Sequence, residues 1–200
     1  MESEQLLLAY TYFINNENSK YISVGYSVEN FSPCVIINYI GLGNLKLGLP
    51  EWLNIFMVKH EEISSLLNAG GVKKCQKLIK TMKNTLIKFD EHTKTIVISN
   101  IAINHDEWLL KLQLTDYIQS VLYWCRQTTK EVSSYYNEYV KRCIELNTIS
   151  LDTTDFFTNT NSIFKWNDSR LFFEIPILCK NKLYNDINNY NYCKEFLKLQ

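Results

Sequence analysis

Leu45-Lys46-Leu47-Gly48-Leu49-Pro50-Glu51-Trp52-Leu53 returns, without a gap, as Leu110-Lys111-Leu112-Gln113-Leu114-Thr115-Asp116-Tyr117-Ile118. Leu45, Lys46, Leu47 and Leu49 are matched identically. Glu51, Trp52 and Leu53 are matched by Asp116, Tyr117 and Ile118, which are chemically alike. An internal repeat constrains a fold more than composition does, because each copy must form the same small unit and the copies must share a core. The block therefore predicts a chain built twice from one strand-to-helix junction. Duplication of this kind suits an extended binding surface better than a single catalytic pocket.

The segments around the first copy read as four strands and a helix. Leu6 to Phe13 is aliphatic and aromatic. Tyr21 to Val28 alternates, with Ile22, Val24, Tyr26 and Val28 on one face and Tyr21, Ser23, Gly25 and Ser27 on the other. A period of two is the mark of a half-buried strand. Val35 to Ile40 is β-prone, and Gly41-Leu42-Gly43-Asn44 has the residues of a hairpin turn. Leu45, Leu47 and Leu49 then alternate. Pro50 suits the first turn of a helix, and Trp52, Phe56, Ile63, Leu66 and Leu67 give that helix its apolar stripe.

The second unit reads less cleanly. Val72 to Thr81 is either a strand or a short basic helix. Thr85 to Phe89 and Thr95 to Ile101 read as strands, with Asp90-Glu91-His92 and Asn104-His105-Asp106 as turns. The repeat then predicts a last strand over Leu109 to Leu114, an N-cap at Thr115, and a helix reaching about residue 147. In residues 150–200, Ile163 to Trp166 and Leu171 to Ile177 read as a hairpin around Asn167-Asp168, followed by a short helix near Tyr192 to Leu199. The expected class is thus α+β: two ββββα repeats, 1–71 and 72–149, with curved antiparallel sheets against helices as a pseudo-dimer. Residues 150–200 form a C-terminal extension, either a degenerate third unit or an interface.

A Leu-x-Leu strand entering a helix with an acid-aromatic pair (Leu45, Leu47, Glu51, Trp52, and again Leu110, Leu112, Asp116, Tyr117) resembles the single-stranded DNA-binding domain of the positive cofactor four family of transcriptional coactivators. It also resembles the Pur-alpha and Whirly architectures. The resemblance covers residues 6 to 68 best and 74 to 147 in part. It implies a curved sheet that binds single-stranded nucleic acid, with helices packed on the other side.

The residues that would do so are lysines and tyrosines. With Leu45, Leu47 and Leu49 inward, Lys46 points outward, and by the repeat Lys111 does too. Tyr21 joins that face, with Tyr10 and Tyr12 or their neighbours. Lysines there would follow the phosphates while rings stack the bases. Lys77 and Lys88 lie in a lysine-rich run, residues 73–88, that holds no acid; such runs bind phosphates in a salt-sensitive way, or protect a sheet edge. Trp52 and Tyr117 are expected in the core.

Lys and Arg equal Asp and Glu in number, so the chain as a whole lacks a basic balance. No P-loop, H-E-x-x-H or G-x-S-x-G motif occurs, and Gly41-Leu42-Gly43 lacks the context of a dinucleotide loop. No catalytic residue, metal ligand or cofactor is expected. The six cysteines have no metal-like spacing and read as buried free thiols. The acidic start is unlike a secretory signal and no apolar run would span a bilayer, so an intracellular site, nuclear or cytoplasmic, with no membrane partner is expected. The reading is a nonenzymatic single-stranded DNA- or RNA-binding protein serving transcription, replication or genome handling. The alternative is a protein-interaction or assembly module on the same fold, forming a homo-oligomer through the long helix or the C-terminal extension.

Overall fold

The structure is a computed structural model that describes residues 5–14, 19–40, 43–68, 78–80, 86–90, 93, 95–98, 101–146, 148 and 169–198. It is a mixed α+β chain. The first sheet has the order β1-β2-β3-β4, with β1 Leu6–Phe13, β2 Lys20–Ser27, β3 Pro33–Tyr39 and β4 Gly43–Gly48. Two short helices follow, α1 Leu49–Leu53 and α2 His60–Asn68, joined by a π-helical turn over Asn54–Val58. The second sheet has the order β5-β6-β7-β8: Leu78–Lys80, Leu86–Asp90, Thr95–Ile98 and Ile101–Ile103. Then come a long helix, α3 His105–Glu145, and two more, α4 Ser169–Leu178 and α5 Lys180–Lys198. Among the described residues no helix is long and apolar enough to cross a membrane.

Two compact units divide the chain, and they do not follow its order. One holds Ala9–Gly25 and Ser32–Arg126; the other holds Gln5–Leu8, Tyr26–Phe31 and Gln127–Gln200. In the first unit the inward residues of both sheets meet in one core. Ile22 and Val24, Val35 and Ile37, and Leu45 and Leu47 come from the first sheet; Ile87, Phe89, Ile96, Ile98, Ile101 and Ile103 come from the second. The register is that of antiparallel pairs: Val35 faces Leu47 and Ile37 faces Leu45, while Ile87 faces Ile98 and Ile96 faces Ile103. Helix α1 packs on β3 and β4, whereas α2 reaches β7 of the other sheet. Three rings hold this crossing. Trp52 stacks on Phe56 at 4.0 Å between centroids, and Phe56 stacks on Trp108 at 5.1 Å. The Trp108 indole N–H donates to Ser64 Oγ at 2.9 Å, which ties the start of α3 to α2.

Two glycines of the first junction have physical reasons. Gly43 takes a φ of 115°, which an L side chain resists. At Gly48 a Cβ would lie 2.7 Å from Glu51 Oε2, so the carboxylate needs the bare backbone.

The strand expected over Leu109 to Leu114 is instead helix, inside α3. The cause is a capping box: Asn104 Oδ1 accepts the Glu107 N–H at 2.9 Å, and Glu107 Oε2 accepts the Asn104 N–H at 3.3 Å. The buried residues Trp108, Lys111, Thr115, Ile118, Leu122 and Cys125 then recur at three or four residues, the helical period. Leu, Lys and Gln are good helix formers, and no β-branched residue in that stretch opposes them. Thr115 is accordingly no N-cap; its hydroxyl bonds the Lys111 carbonyl at 2.8 Å in mid-helix. The Leu-Lys-Leu block is therefore a strand the first time and a helix the second. Ile101, Ile103, Glu107 and Trp108 at the β8–α3 junction have the same sequence spacing as Leu45, Leu47, Glu51 and Trp52 at β4–α1. Tyr117 is also not core but half-exposed.

The second unit is helical over most of its described length. Leu171, Phe172, Ile175, Cys179, Leu183 and Ile187 are buried at helical spacing, so Leu171 to Ile177 is helix and not half of a hairpin. The hairpin's other parts, Ile163 to Trp166 and Asn167-Asp168, lie outside the described residues. Phe31 packs on Tyr136 at 4.9 Å, and Lys182 Nζ lies over both rings. The Tyr136 hydroxyl donates to Asp186 at 2.9 Å. Among the described residues four cysteines, Cys34, Cys125, Cys143 and Cys179, are buried and form no disulfide.

Removing the central ring of the stack should be costly. Phe56→Ala is expected to destabilise the fold by about 3–5 kcal/mol, the usual loss for a buried aromatic. Urea unfolding of the two proteins measures it. A change under half of that would mean the two tryptophans close the gap and the stack is not a fixed point of the core.

Candidate functional site

The first sheet has two chemically distinct faces. Its inner face is the apolar core. On the outer face, register places Lys46 opposite Ile36 and Asn44 opposite Asn38. The Thr11 and Ser23 hydroxyls are 2.9 Å apart, which puts β1 and β2 residues in step there. Phe13 and Tyr21 meet edge-on at 6.0 Å. This face thus carries an aromatic pair, a lysine, two asparagines and two hydroxyls, with Phe13 exposed and Tyr21 and Lys46 half-buried. Cys34, Ile36 and Asn38, on the inner strand β3, are buried.

Of the residues expected to bind, Lys46 and Tyr21 share this outer face. Tyr12 does not. Its ring packs edge-on to Tyr117 of α3 at 5.4 Å, and burial pushes its phenol up. Tyr10 alternates with Thr11, as Tyr12 does, and falls on the same side as Tyr12. Lys88 is exposed on β6, opposite Leu78 in register. Lys77 lies outside the described residues. Phe13, which pairs with Tyr21, is one of the neighbours that the sequence left as the alternative to Tyr10 and Tyr12 on this face.

Lys111 is the sharpest correction. It is buried, with none of its surface exposed, and so neither points outward nor matches Lys46. It belongs to a cluster at the start of α3. Glu107 accepts from Lys20 Nζ of β2, and from the Tyr39 hydroxyl of β3 at 3.0 Å. The Lys111 ammonium reaches the Glu107 carbonyl at 3.4 Å, and both Lys20 and Lys111 lie over the Tyr39 ring, at 4.7 and 5.8 Å. Burial alone would push the Glu107 carboxyl up. The Lys20 hydrogen bond, the Lys111 charge, the Tyr39 hydroxyl and the Asn104 N–H together hold it below the usual carboxylate range. Burial also pushes the Lys111 ammonium down to about 8, against the opposing pull of Glu107, with Lys20 adding to the fall. Burial, then the charge and hydrogen bond of Glu107, push the Tyr39 phenol up.

This cluster is closed: Glu107, Tyr39 and Lys111 are all buried. Its chemistry is that of a lock between α3 and the first sheet. Among the described residues no three His, Cys, Asp or Glu side chains gather as metal ligands. Comparison of the chain with protein-family models, with curated proteins and with solved structures finds no match.

Lys111 makes stability depend on pH with an uncommon sign. Its folded pKa lies below the unfolded one, so between about 8 and 10.5 the unfolded chain holds more protons. Stability must rise with pH across that window. Melting temperatures measured from neutral pH to the mid-9 range should climb. Lys111→Met should abolish the climb, because the group that titrates in this window is gone. A flat profile in the parent would mean that Lys111 stays hydrated.

Proposed function

We propose that this chain is a nonenzymatic single-stranded nucleic-acid-binding protein, built from two interlocked ββββα units and acting through the outer face of its first sheet. The observation that carries the reading is the Phe13–Tyr21 ring pair on the sheet face opposite the core, with Lys46 on the same face two strands away. Aromatic rings offer bases a stacking surface whatever their identity, and lysine follows the backbone. Asn44 and Thr11, both exposed, add hydrogen-bond donors and acceptors at the edges of that face, whereas Asn38 and Ser23 are buried.

The duplicated architecture is inferred from three matched features. Four strands precede α1, and four precede α3. A Glu-Trp pair opens each following helix, Glu51-Trp52 and Glu107-Trp108. Each helical element then contacts the opposite sheet, α2 on β7 and Glu107 of α3 on β2 and β3. This exchange of helices supports the likeness to the positive cofactor four, Pur-alpha and Whirly architectures. Neutral overall charge fits a binder that relies on stacking more than on phosphate neutralisation. The second reading, an assembly module on the same fold, is favoured by the apolar side chains that α3, α4 and α5 leave exposed.

Fluorescence anisotropy with an unstructured labelled oligonucleotide tests the first reading. Binding in the micromolar range is expected, with a shallow salt dependence of about −0.7 in log–log slope for each lysine engaged. Tyr21→Ala should lose about 1–3 kcal/mol, the worth of one stacked base, and Lys46→Glu should flatten the salt slope. No salt-dependent binding by the parent protein would sink the reading. Binding that neither substitution alters would move the site off this face.

A further inference from the structure

Helices α3 and α4–α5 each leave one apolar stripe in water. On α3, Leu109, Tyr117 and Trp124 are exposed along one side, with Gln113 and Ser120 between them. Asp106 and Asp116 flank this stripe, both exposed, and no lysine or arginine interrupts it. On α4 and α5 the exposed residues are Phe173, Ile177 and Tyr184, of which Ile177 is 71% exposed. Arg170 and Lys180 flank them, and no acid is exposed among them. The break between α4 and α5 does not scramble that side. Cys179 N–H bonds the Ile175 carbonyl and Leu183 N–H bonds the Cys179 carbonyl, at 2.9 and 2.8 Å, so the four-residue step runs through it.

The two stripes oppose in charge, and their flanking charges are equally spaced in sequence. Asp106 and Asp116 are ten residues apart within α3, and Arg170 and Lys180 are ten residues apart across the α4–α5 break. Ten residues of α3 rise about 15 Å, and the four-residue hydrogen-bond step through Cys179 keeps Arg170 and Lys180 on a comparable side of α4–α5. Leu109 and Phe173 stand three residues into their respective spans, and Gln113 and Ile177 seven. Apolar side chains set at three- and four-residue steps on helices are what ridge-into-groove packing joins. A large apolar patch with a polar rim is the usual mark of a protein contact.

We propose that these stripes are the two halves of one self-association interface: the α3 stripe of one copy seats on the α4–α5 stripe of a second copy. The aromatic and aliphatic side chains form its centre, and Arg170 and Lys180 meet the acids at its rim. The interface is heterologous, joining two different patches. Copies therefore close as a reciprocal pair or continue in a series, according to the rotation between them. Opposite charges at the rim set the register and disfavour like-with-like pairing of two α3 stripes.

Light scattering coupled to size-exclusion chromatography, and sedimentation equilibrium, test this on the full chain. The parent mass should rise above the monomer with concentration in the micromolar range. Ile177→Glu, at an exposed position, should weaken association by about thirtyfold or more, as expected for a central contact. Arg170→Glu with Lys180→Glu should also weaken it. Adding Asp106→Lys and Asp116→Lys to that chain should restore it, because both rims are then reversed. Far-UV circular dichroism on each variant checks the helices. A parent that stays monomeric at its highest soluble concentration overturns the proposal. So does unaltered association by Ile177→Glu, or failure of the doubly reversed chain to recover.

Discussion

The stack of Trp52, Phe56 and Trp108 is the constraint on which the first unit turns. Trp52 and Phe56 follow the first sheet in sequence, Trp108 the second, and the three rings lie within stacking distance of each other in turn. Each aromatic buries a large apolar area and prefers offset contact with its neighbours. One ring from each junction is not enough; Phe56 must lie between them. The π-helical turn at Asn54–Val58, a rare local geometry, is where the chain sets Phe56. From this point α2 is carried to β7 and the start of α3 to the first sheet. The two sheets then have a single core instead of two small ones, which eases the shortage of buried area that weakens very small domains.

The charged lock of Lys20, Glu107, Tyr39 and Lys111 adds direction to this apolar anchor. Glu107 serves two purposes at once. As third residue of the helix it completes the capping box with Asn104, and its carboxylate also receives Lys20 and Tyr39 from the first sheet. Helix start and docking are therefore one event. Lys111 is the least favourable member, since a buried ammonium with one long backbone contact is poorly solvated. The position four residues after the helix-opening Trp52 is Phe56, and the position four after the helix-opening Glu51 is the buried Ile55. Lys111 stands four residues after Glu107, so a cation is buried there where a hydrocarbon is buried four residues after Glu51. A buried ionic group can fix which partners meet at a cost in stability, and Glu107 with two lysines in reach provides that selectivity here.

Function on this fold would live on faces the core leaves unused. The outer face of the first sheet has aromatic and polar residues in register, and the helices carry apolar stripes of opposite rim charge. The first suits a long flexible polymer, the second a copy of the same chain. These are compatible uses, since they involve different side chains.

The sequence by itself determined the first four strands, the helix start at Pro50, and the strands near residues 87 and 96. Alternation of Ile22 and Val24, or of Leu45 and Leu47, is a local signal that burial on one side enforces. It also placed Lys46 and Tyr21 on one face. It put a strand over Leu109 to Leu114 where the chain is helix, because Leu-Lys-Leu-x-Leu satisfies a period of two over five residues and a helical period over twenty. Only the capping box and the buried run from Trp108 to Cys125 break that tie, and the run is a choice of face made by the neighbouring sheet. The Glu-Trp pair was visible at both junctions but gave no sign of its meaning until the strands before it were placed. Tertiary structure alone decided that Lys111 is buried and Tyr117 is not. Both lie on one helix, and which side of a helix meets the core depends on the partner that covers it.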